Sequence, residues 1–223
     1  MSVWAVLAAA GSGERLGADR PKAFVRLGDR PLLAESLARL DASDWIDAIV
    51  VAAPPGWEEP AILLAEELGC GKVSACVRGG ATRAESVRAG VGEVPDDAAA
   101  IAVHDAARPL VSDDVLERAL GALGEGWDGA IPGLPVADTV KRVEDEEVVG
   151  TLDRSALRIV QTPQVFVADV LRRAVTAVDA RSDWTDCSAA VEAAGGRVKV
   201  VRGDPRLIKV TEAADLERVS ALL

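Results

Sequence analysis

Two glycine-rich turns and a few cations are the features of this sequence that suit binding of a polyphosphate. The first turn, Gly11-Ser12-Gly13-Glu14-Arg15, follows a hydrophobic run, and Pro21-Lys22 comes shortly after it. Glycines let the backbone approach phosphate oxygens closely, so that its N–H groups point at the anion. Arg15 and Lys22 would add positive charge, and Pro21 restricts the backbone beside Lys22. This segment therefore predicts a triphosphate site.

Further polar residues follow later predicted strands. The second glycine turn, Gly79-Gly80, precedes a predicted helix in which Ser86 could bond a base or a ribose. Asp105 ends another strand, and we expect it to hold Mg²⁺ or a substrate hydroxyl, because Mg²⁺ takes one or two carboxylates together with substrate phosphates. Its neighbour His104, the only histidine of the chain, is expected to be a satisfied core residue or one that supports the site. Lys209 would lie at a sheet edge or point into the cleft.

Composition and spacing argue against several other classes of protein. A net charge of −11 disfavours a nucleic-acid surface, which needs a basic stripe. The apolar runs are too short for a membrane span, and the N-terminus has no export leader. Three cysteines without metal-ligand spacing (Cys70, Cys76 and Cys187) predict reduced thiols in a cytoplasmic protein. No Gly-Lys-Ser/Thr follows the first turn, which excludes a Walker A loop, and no acidic residue ends the second strand, which disfavours a dinucleotide-dependent oxidoreductase.

Alternating strands and helices must position these residues. Strands are predicted at Val3–Ala9, Ile46–Ala52, Lys72–Val77, Ala99–His104, Ala130–Ile131 and Arg197–Val201. Helical spacing of apolar residues predicts helices at Leu32–Leu40, Glu58–Leu68, Arg83–Val91, Val115–Leu123, Val167–Val178, Asp186–Ala194 and Glu212–Leu222. This alternation indicates an α/β fold that is Rossmann-like, with a mostly parallel sheet and helices on both faces. Ligands of such folds bind at the carboxyl ends of the strands.

Residues 138–154 break this alternation. Asp138–Val143 and Val148–Leu152 are two short alternating runs around the acidic stretch Glu144–Glu147, which predicts a β-hairpin. The hairpin is too polar for the core, so we expect it to project as a β-arm from a single domain that spans residues 1–223. The residues alone leave open whether the arm has a function or is a plain surface excursion.

Taken together and in this order, the motifs resemble those of the 2-C-methyl-D-erythritol 4-phosphate cytidylyltransferase family, the CTP-using enzymes of the non-mevalonate isoprenoid pathway. The resemblance covers essentially the whole chain. It rests on Ala9–Arg15, Pro21-Lys22, Gly79–Ser86, His104–Pro109, Asp138–Lys141, Thr162–Gln164, Thr185-Asp186 and Ile208–Thr211. It implies a pyrophosphorylase-type fold, a homodimer formed through the β-arm, and transfer of CMP from CTP to 2-C-methyl-D-erythritol 4-phosphate. A divalent cation, Mg²⁺ or another, would bridge the phosphates.

The resemblance also implies roles for individual residues. Those expected to wrap the CTP phosphates are Ala9, Ala10, Gly11, Gly13, Arg15 and Lys22, and those expected to hold cytidine are Gly80, Ser86 and Ala106. Those expected to face the acceptor are Asp105, Arg108, Thr162 and Lys209, joined from the neighbouring subunit by Thr139 and Arg154. Catalysis would be positioning and stabilisation of charge on the α-phosphate by Arg15, Lys22 and Lys209, without a covalent intermediate.

Some alternatives stay open on the sequence. Ala81 and Cys187 depart from the family pattern, which commonly has polar or acidic residues there, so we expect local contacts at these positions to differ. A ribitol-5-phosphate cytidylyltransferase shares nearly all the motifs. A non-catalytic nucleotide-binding regulatory module is a rival of another class, disfavoured because the charge-neutralising groups are all present. We expect no fused enzyme of the next pathway step.

Overall fold

The computed structural model describes residues 2–17, 19–177, 184 and 186–223, so the predicted positions of Val178 and Thr185 lie outside the described residues. The strands are β1 (Val3–Ala8), β2 (Arg26–Leu27), β3 (Arg30–Pro31), β4 (Ala48–Ala53), β5 (Val73–Arg78), β6 (Ala100–Asp105), β7 (Gly129–Pro135), β8 (Lys141–Glu144), β9 (Glu147–Thr151), β10 (Arg158–Val160), β11 (Gln164–Val167) and β12 (Val198–Arg202). The helices are α1 (Leu32–Ala42), α2 (Glu58–Glu67), α3 (Arg83–Gly92), α4 (Asp113–Gly124), α5 (Ala168–Ala177), α6 (Cys187–Ala193) and α7 (Ala213–Ser220).

The main sheet is mixed, with a parallel centre. Its strands run in the order β10-β7-β11-β6-β1-β4-β5, and β12 pairs with β7. Strands β6, β1, β4 and β5 are parallel neighbours, as are β7 and β12. Strand β11 runs antiparallel between β6 and β7, and β10 runs antiparallel to β7. The predicted α/β fold with a mostly parallel sheet is therefore confirmed.

Alternate residues of the central strands build a core on each face of the sheet. Leu7 of β1 belongs to one apolar cluster with Leu37 of α1 and Leu116 of α4. Its neighbour Val6 belongs to the opposite cluster with Val87 of α3. Since both faces are covered, β1 and β4 are apolar throughout, as strands of parallel sheets usually are. None of the helices in the described ranges has the length and apolar character that a membrane crossing requires.

The structure corrects several predicted boundaries near the site. Strand β7 extends beyond the predicted Ala130–Ile131, and β10 and β11 had not been predicted. Gln164–Val167 is a short apolar run directly before α5, and such a run cannot be told from the start of a buried helix by periodicity. Lys209 does not end a strand but lies in the loop between β12 and α7.

The predicted hairpin is confirmed. Strands β8 and β9 pair antiparallel with each other in a sheet of their own, apart from the main sheet. Asp145 and Glu146 make the tight turn with φ angles of 44° and 69°. Val143 and Val148 are about half exposed, at 53% and 57%. An isolated two-stranded hairpin is at best marginally stable in water, so the ordered β-arm (138–154) with exposed valines suits packing against another surface.

Candidate active site

The carboxyl ends of β1, β5 and β6 meet around a cavity of about 780 Å³. The last residues of β1 and β6 and the loops that follow all three strands line the cavity, as in other open α/β sheets. Sequence-predicted residues that line this first cavity are Ala9, Ala10, Gly11, Gly13, Arg15, Lys22, Gly80, Ser86, Asp105, Ala106 and Lys209. The structure thus brings all the predicted nucleotide residues together with the three predicted catalytic cations.

The loop after β1 presents free backbone donors beside Lys22. Gly13 has a φ of 78°, and a Cβ there would lie 3.1 Å from the Lys22 Cα. The Lys22 N–H donates to the Gly11 carbonyl at 3.2 Å, which holds the two segments together. Within the described residues, the N–H groups of Gly11, Ser12 and Gly13 donate to no other atom of the chain. Several unused amides next to a cation form an anion site.

The loop after β5 packs tightly on the first loop. A Cβ at Gly79 would lie 2.4 Å from the Ala10 Cβ, so only glycine allows this approach. The side chain of Ser86 in α3 accepts from the Gly80 N–H at 3.1 Å and donates to the Thr82 carbonyl at 2.8 Å. The serine therefore shapes the turn on which a nucleotide would rest.

A capping box closes the start of α3. The Thr82 hydroxyl accepts from the Glu85 N–H at 3.1 Å. The Glu85 carboxylate in turn accepts from the N–H groups of Ala81 at 2.7 Å and Thr82 at 3.2 Å. Such reciprocal bonds satisfy donors that a helix start otherwise leaves free. The Ala81 N–H is consequently engaged within the chain, and its small side chain only lines the cavity.

Asp105 is the ionic centre of the site. Its Oδ1 accepts from Arg83 Nε at 2.9 Å and its Oδ2 from Lys209 Nζ at 2.7 Å. Burial by itself would raise the pKa of Asp105, but the charges of Arg83 and Lys209 outweigh it and hold that pKa well below its ordinary value. Arg83 was not among the predicted site residues. Its place at the first position of a helix that follows a glycine turn was the signal that could have found it.

This pairing bears on the predicted metal role of Asp105. Both carboxylate oxygens already accept from cationic groups, and a divalent cation there would face two positive charges at contact distance. Among the described residues, no group of three or more His, Cys, Asp or Glu side chains could hold a metal ion. The donor set around Asp105 therefore does not fit a resident Mg²⁺.

Lys22 lies half-buried among other cations. Burial, followed by the charges of Lys209 and Arg15, lowers the pKa of Lys22 to about 8. The ammonium group is therefore held in a place that favours arrival of an anion, because the negative charge of a bound polyphosphate would offset the repulsion from Lys209 and Arg15.

A second cavity of about 160 Å³ adjoins the first, and Arg83, Asp105 and Lys209 line both. It also contains the predicted acceptor residues Arg108 and Thr162. Arg108 donates to the carbonyls of Leu207 and Val160, at 2.6 and 3.3 Å, and so ties two loops together. Burial lowers the pKa of Arg108. Two neighbouring cavities that meet at one ion cluster suit two substrates that must react with each other.

Cys187 stands behind Arg83. Its Sγ lies 3.5 Å from Arg83 Nη1, and burial raises the pKa of the thiol to about 11, so it stays neutral. Arg83 Nη2 is buried and has no partner among the described residues. A neutral thiol therefore contacts Arg83 at the position where the sequence resemblance implied an acidic residue, and the expected difference in local contacts stays a prediction. Cys70, Cys76 and Cys187 are all free thiols.

Thr139 and Arg154 are not brought to either cavity of their own chain. Both are exposed, at the base of the β-arm, and Arg154 Nη1 donates to the Ala137 carbonyl. The cavity linings contain neither residue. Their predicted contact with the acceptor therefore requires a second chain.

The comparisons with known proteins point to a single family. The family model described as 2-C-methyl-D-erythritol 4-phosphate cytidylyltransferase matches residues 3–223. A protein of that name from Nocardia farcinica is 45% identical over 223 residues, which cover 100% of this chain and 94% of the relative. One from Saccharopolyspora erythraea is 43% identical over 227 residues and 100% of both chains. The crystal structure of the Thermus thermophilus protein of that name is similar with a TM-score of 0.79 and 33% identity, covering 100% of this chain and 98% of the other.

Proposed function

This chain belongs to the 2-C-methyl-D-erythritol 4-phosphate cytidylyltransferase family, and from that premise we propose how its residues perform the reaction. It is a nucleotidyltransferase that transfers CMP from CTP to 2-C-methyl-D-erythritol 4-phosphate and so takes part in isoprenoid biosynthesis. The products are 4-diphosphocytidyl-2-C-methyl-D-erythritol and pyrophosphate. The observation that carries the assignment of residues is the meeting of two cavities at Arg83, Asp105 and Lys209.

The first cavity receives CTP. The free amides of Gly11, Ser12 and Gly13, with Arg15 and Lys22, bind the triphosphate. The turn at Gly80, with Ser86 and Ala106 beyond it, binds cytidine. The donor set around Asp105 does not suit a resident divalent cation, so a divalent cation would come with the CTP phosphates as part of the substrate and would offset their negative charge.

The second cavity receives the acceptor. An oxygen of the acceptor phosphate attacks the α-phosphorus in line, a new P–O bond forms, and the bond from the α-phosphorus to the bridging oxygen breaks as pyrophosphate leaves. Lys209 keeps its ion pair with Asp105 and donates its remaining protons to the phosphates that meet beside it. Lys22, Arg15 and Lys209 stabilise the charge that develops, and loss of one such donor costs roughly a hundredfold to a thousandfold in rate.

Pyrophosphate release tests the reaction directly. The wild-type protein is incubated with CTP and either 2-C-methyl-D-erythritol 4-phosphate or ribitol 5-phosphate. We expect release with the first acceptor, and loss of at least about a hundredfold in Lys22→Ala and Lys209→Ala with unchanged circular dichroism. Preference for ribitol 5-phosphate would replace the proposed acceptor, and binding of CTP without turnover on any polyol phosphate would indicate a regulatory module.

We also propose that the β-arm completes the site of a second copy. Exposed Val143 and Val148 and a marginal two-stranded hairpin support packing on a symmetric partner. Thr139 and Arg154 would then reach the acceptor cavity of that partner.

Subunit exchange tests the shared site. Arg154→Ala and Lys22→Ala are each expected to be inactive. Mixing them under exchange conditions gives dimers in which one site has an intact Lys22 from one chain and an intact Arg154 from the other. In these mixed dimers one of the two sites should therefore work. A fully active monomer, or heterodimers without recovered activity, would show that each chain works alone.

A further inference from the structure

His104 links three residues that line the acceptor cavity, Arg108, Thr162 and Asp105, although His104 itself does not line it. The imidazole is completely buried at the end of β6. Its Nε2 lies 3.0 Å from the Arg108 carbonyl oxygen, and its Nδ1 lies 3.0 Å from the Thr162 Oγ1. The same Thr162 oxygen lies 3.1 Å from the Asp105 backbone nitrogen.

The chemistry of these groups fixes the direction of each hydrogen bond. A carbonyl oxygen only accepts, so Nε2 carries a proton and donates it to Arg108. A neutral imidazole then has a bare Nδ1, which must accept the Thr162 hydroxyl proton. Burial lowers the pKa of His104 to about 4, so the ring is neutral at physiological pH. The backbone N–H of Asp105 donates to Thr162.

Toward a ligand, Thr162 can act only as a hydrogen-bond acceptor. A threonine hydroxyl has one proton and two lone pairs. The proton and one lone pair are already used inside the protein, so Thr162, which lines the second cavity, has one lone pair left. A phosphate that is fully ionised offers only acceptors, and two acceptors do not bond. A hydroxyl group of the acceptor can donate to that lone pair.

We propose that His104 is a positioning residue which makes Thr162 a hydrogen-bond acceptor, so that Thr162 binds a hydroxyl of the polyol and not its phosphate. This inference rests on the proposed function of the second cavity. The phosphate is left to the cations of that cavity, Lys209 and Arg83, which donate only. His104 thereby orients the acceptor: hydroxyl toward Thr162, phosphate toward the cations and the CTP.

Two amide substitutions separate the two bonds of His104. In His104→Asn the amide oxygen replaces Nδ1 and still accepts from Thr162. In His104→Gln the longer amide replaces Nε2 and still donates to the Arg108 carbonyl, but Thr162 loses its acceptor and its proton becomes free. The two variants therefore bury similar polar groups, and only His104→Gln changes the direction of the Thr162 hydroxyl.

The experiment measures kcat/KM for 2-C-methyl-D-erythritol 4-phosphate and for its three monodeoxy analogues. In the wild type, one analogue should be used roughly fivefold less well than the parent, the effect of one neutral hydrogen bond. His104→Asn should keep that preference. His104→Gln should reduce it below about twofold while the KM for CTP stays within about twofold of the wild type, since the CTP cavity is not altered.

Several results would overturn the proposal. One is equal use of all four acceptors by the wild type. Another is an unchanged preference in His104→Gln. A third is equal loss in both variants on all acceptors and on CTP, which would mean a purely structural histidine. If neither histidine variant folds, Thr162→Val, close to threonine in size, must abolish the preference, whereas Thr162→Ser must keep it. Failure of the wild type to release pyrophosphate from CTP with any acceptor would refute the proposed function instead.

Discussion

The lowered pKa of Lys22 predicts how CTP use depends on pH. Lys22 has a pKa of about 8 in the free protein, because it is half-buried and lies near Lys209 and Arg15. In the proposed mechanism the triphosphate binds the charged ammonium form. Below pH 8 most of the protein carries that form, and above pH 8 each pH unit reduces it about tenfold. We therefore expect kcat/KM for CTP to be flat from pH 7 to 7.5 and to fall to roughly a tenth by pH 9.

Other groups should not mask this decline. Phosphate groups have their second pKa near 6, so the substrates stay fully ionised over the range. The effect on stability has the opposite sign. Because the pKa of Lys22 is lower in the folded than in the unfolded state, the unfolded chain binds more protons between about pH 8 and 10, and the contribution of Lys22 to stability rises with pH there. A loss of activity without a fall in the thermal unfolding temperature is thus the expected signature.

Lys22→Arg is the matched control, because a guanidinium stays charged throughout. Steady-state rates with varied CTP and saturating acceptor are measured from pH 6.5 to 9.5. The wild type should show the decline and Lys22→Arg, whatever its absolute rate, should not. A flat wild-type profile to pH 9.5, or the same decline in Lys22→Arg, would refute the assignment of this titration to Lys22.

Three further outcomes are expected. Gly79→Ala should lower the free energy of unfolding by about 1–3 kcal/mol and raise the KM for CTP, because its Cβ would lie 2.4 Å from that of Ala10. The control Gly121→Ala, in open space on α4, should stabilise the protein by up to ~1 kcal/mol and leave the KM for CTP unchanged. Equal KM values in the two variants would contradict the role of the close approach. Asp105→Asn should lower the free energy of unfolding in urea by about 3 kcal/mol, because it leaves Arg83 without its ionic partner. Lys209→Met should lower it by less than about 1 kcal/mol, since that lysine is partly exposed. Similar values for both variants would refute the central role of Asp105. A chelator should abolish pyrophosphate release without shifting the thermal unfolding temperature, because the described residues hold no cluster that could bind a structural metal; unfolding by the chelator would disprove this.

Local patterns made much of this site predictable from the sequence. The glycine turns after β1 and β5 are strand-turn-helix signals contained in a dozen residues each. Asp105 ends an apolar strand, and parallel strands bring such ends together at one edge. These features need no knowledge of which strand lies next to which.

What the sequence could not supply depends on strand neighbours and on single hydrogen bonds. The pairing of Asp105 with Arg83 requires the start of α3 to lie beside the end of β6 in space, although the two residues are 22 positions apart in the chain. The contact of Thr162 with His104 exists because β11 is inserted antiparallel beside β6, with Gln164 opposite Val103. Since no strand had been predicted at β11, whose last residue was assigned to the following helix, that neighbourhood could not be seen from the sequence. Arg83, which lines both cavities together with Asp105 and Lys209, was missed although its place at the start of a helix after a glycine turn was a signal for it.

The capping box at α3 has a consequence for the polarity of the bound nucleotide. Two similar glycine turns face the same cavity, and each has backbone donors that an anion would seek. At the second turn the Glu85 carboxylate accepts hydrogen bonds from the N–H groups of Ala81 and Thr82. The Ser86 hydroxyl accepts one from the N–H group of Gly80. Only the turn at Gly11–Gly13 keeps its amides free among the described residues. We therefore expect a nucleoside triphosphate to bind with its phosphates toward β1 and its base toward β5, because the backbone donors of the second turn are already occupied within the chain.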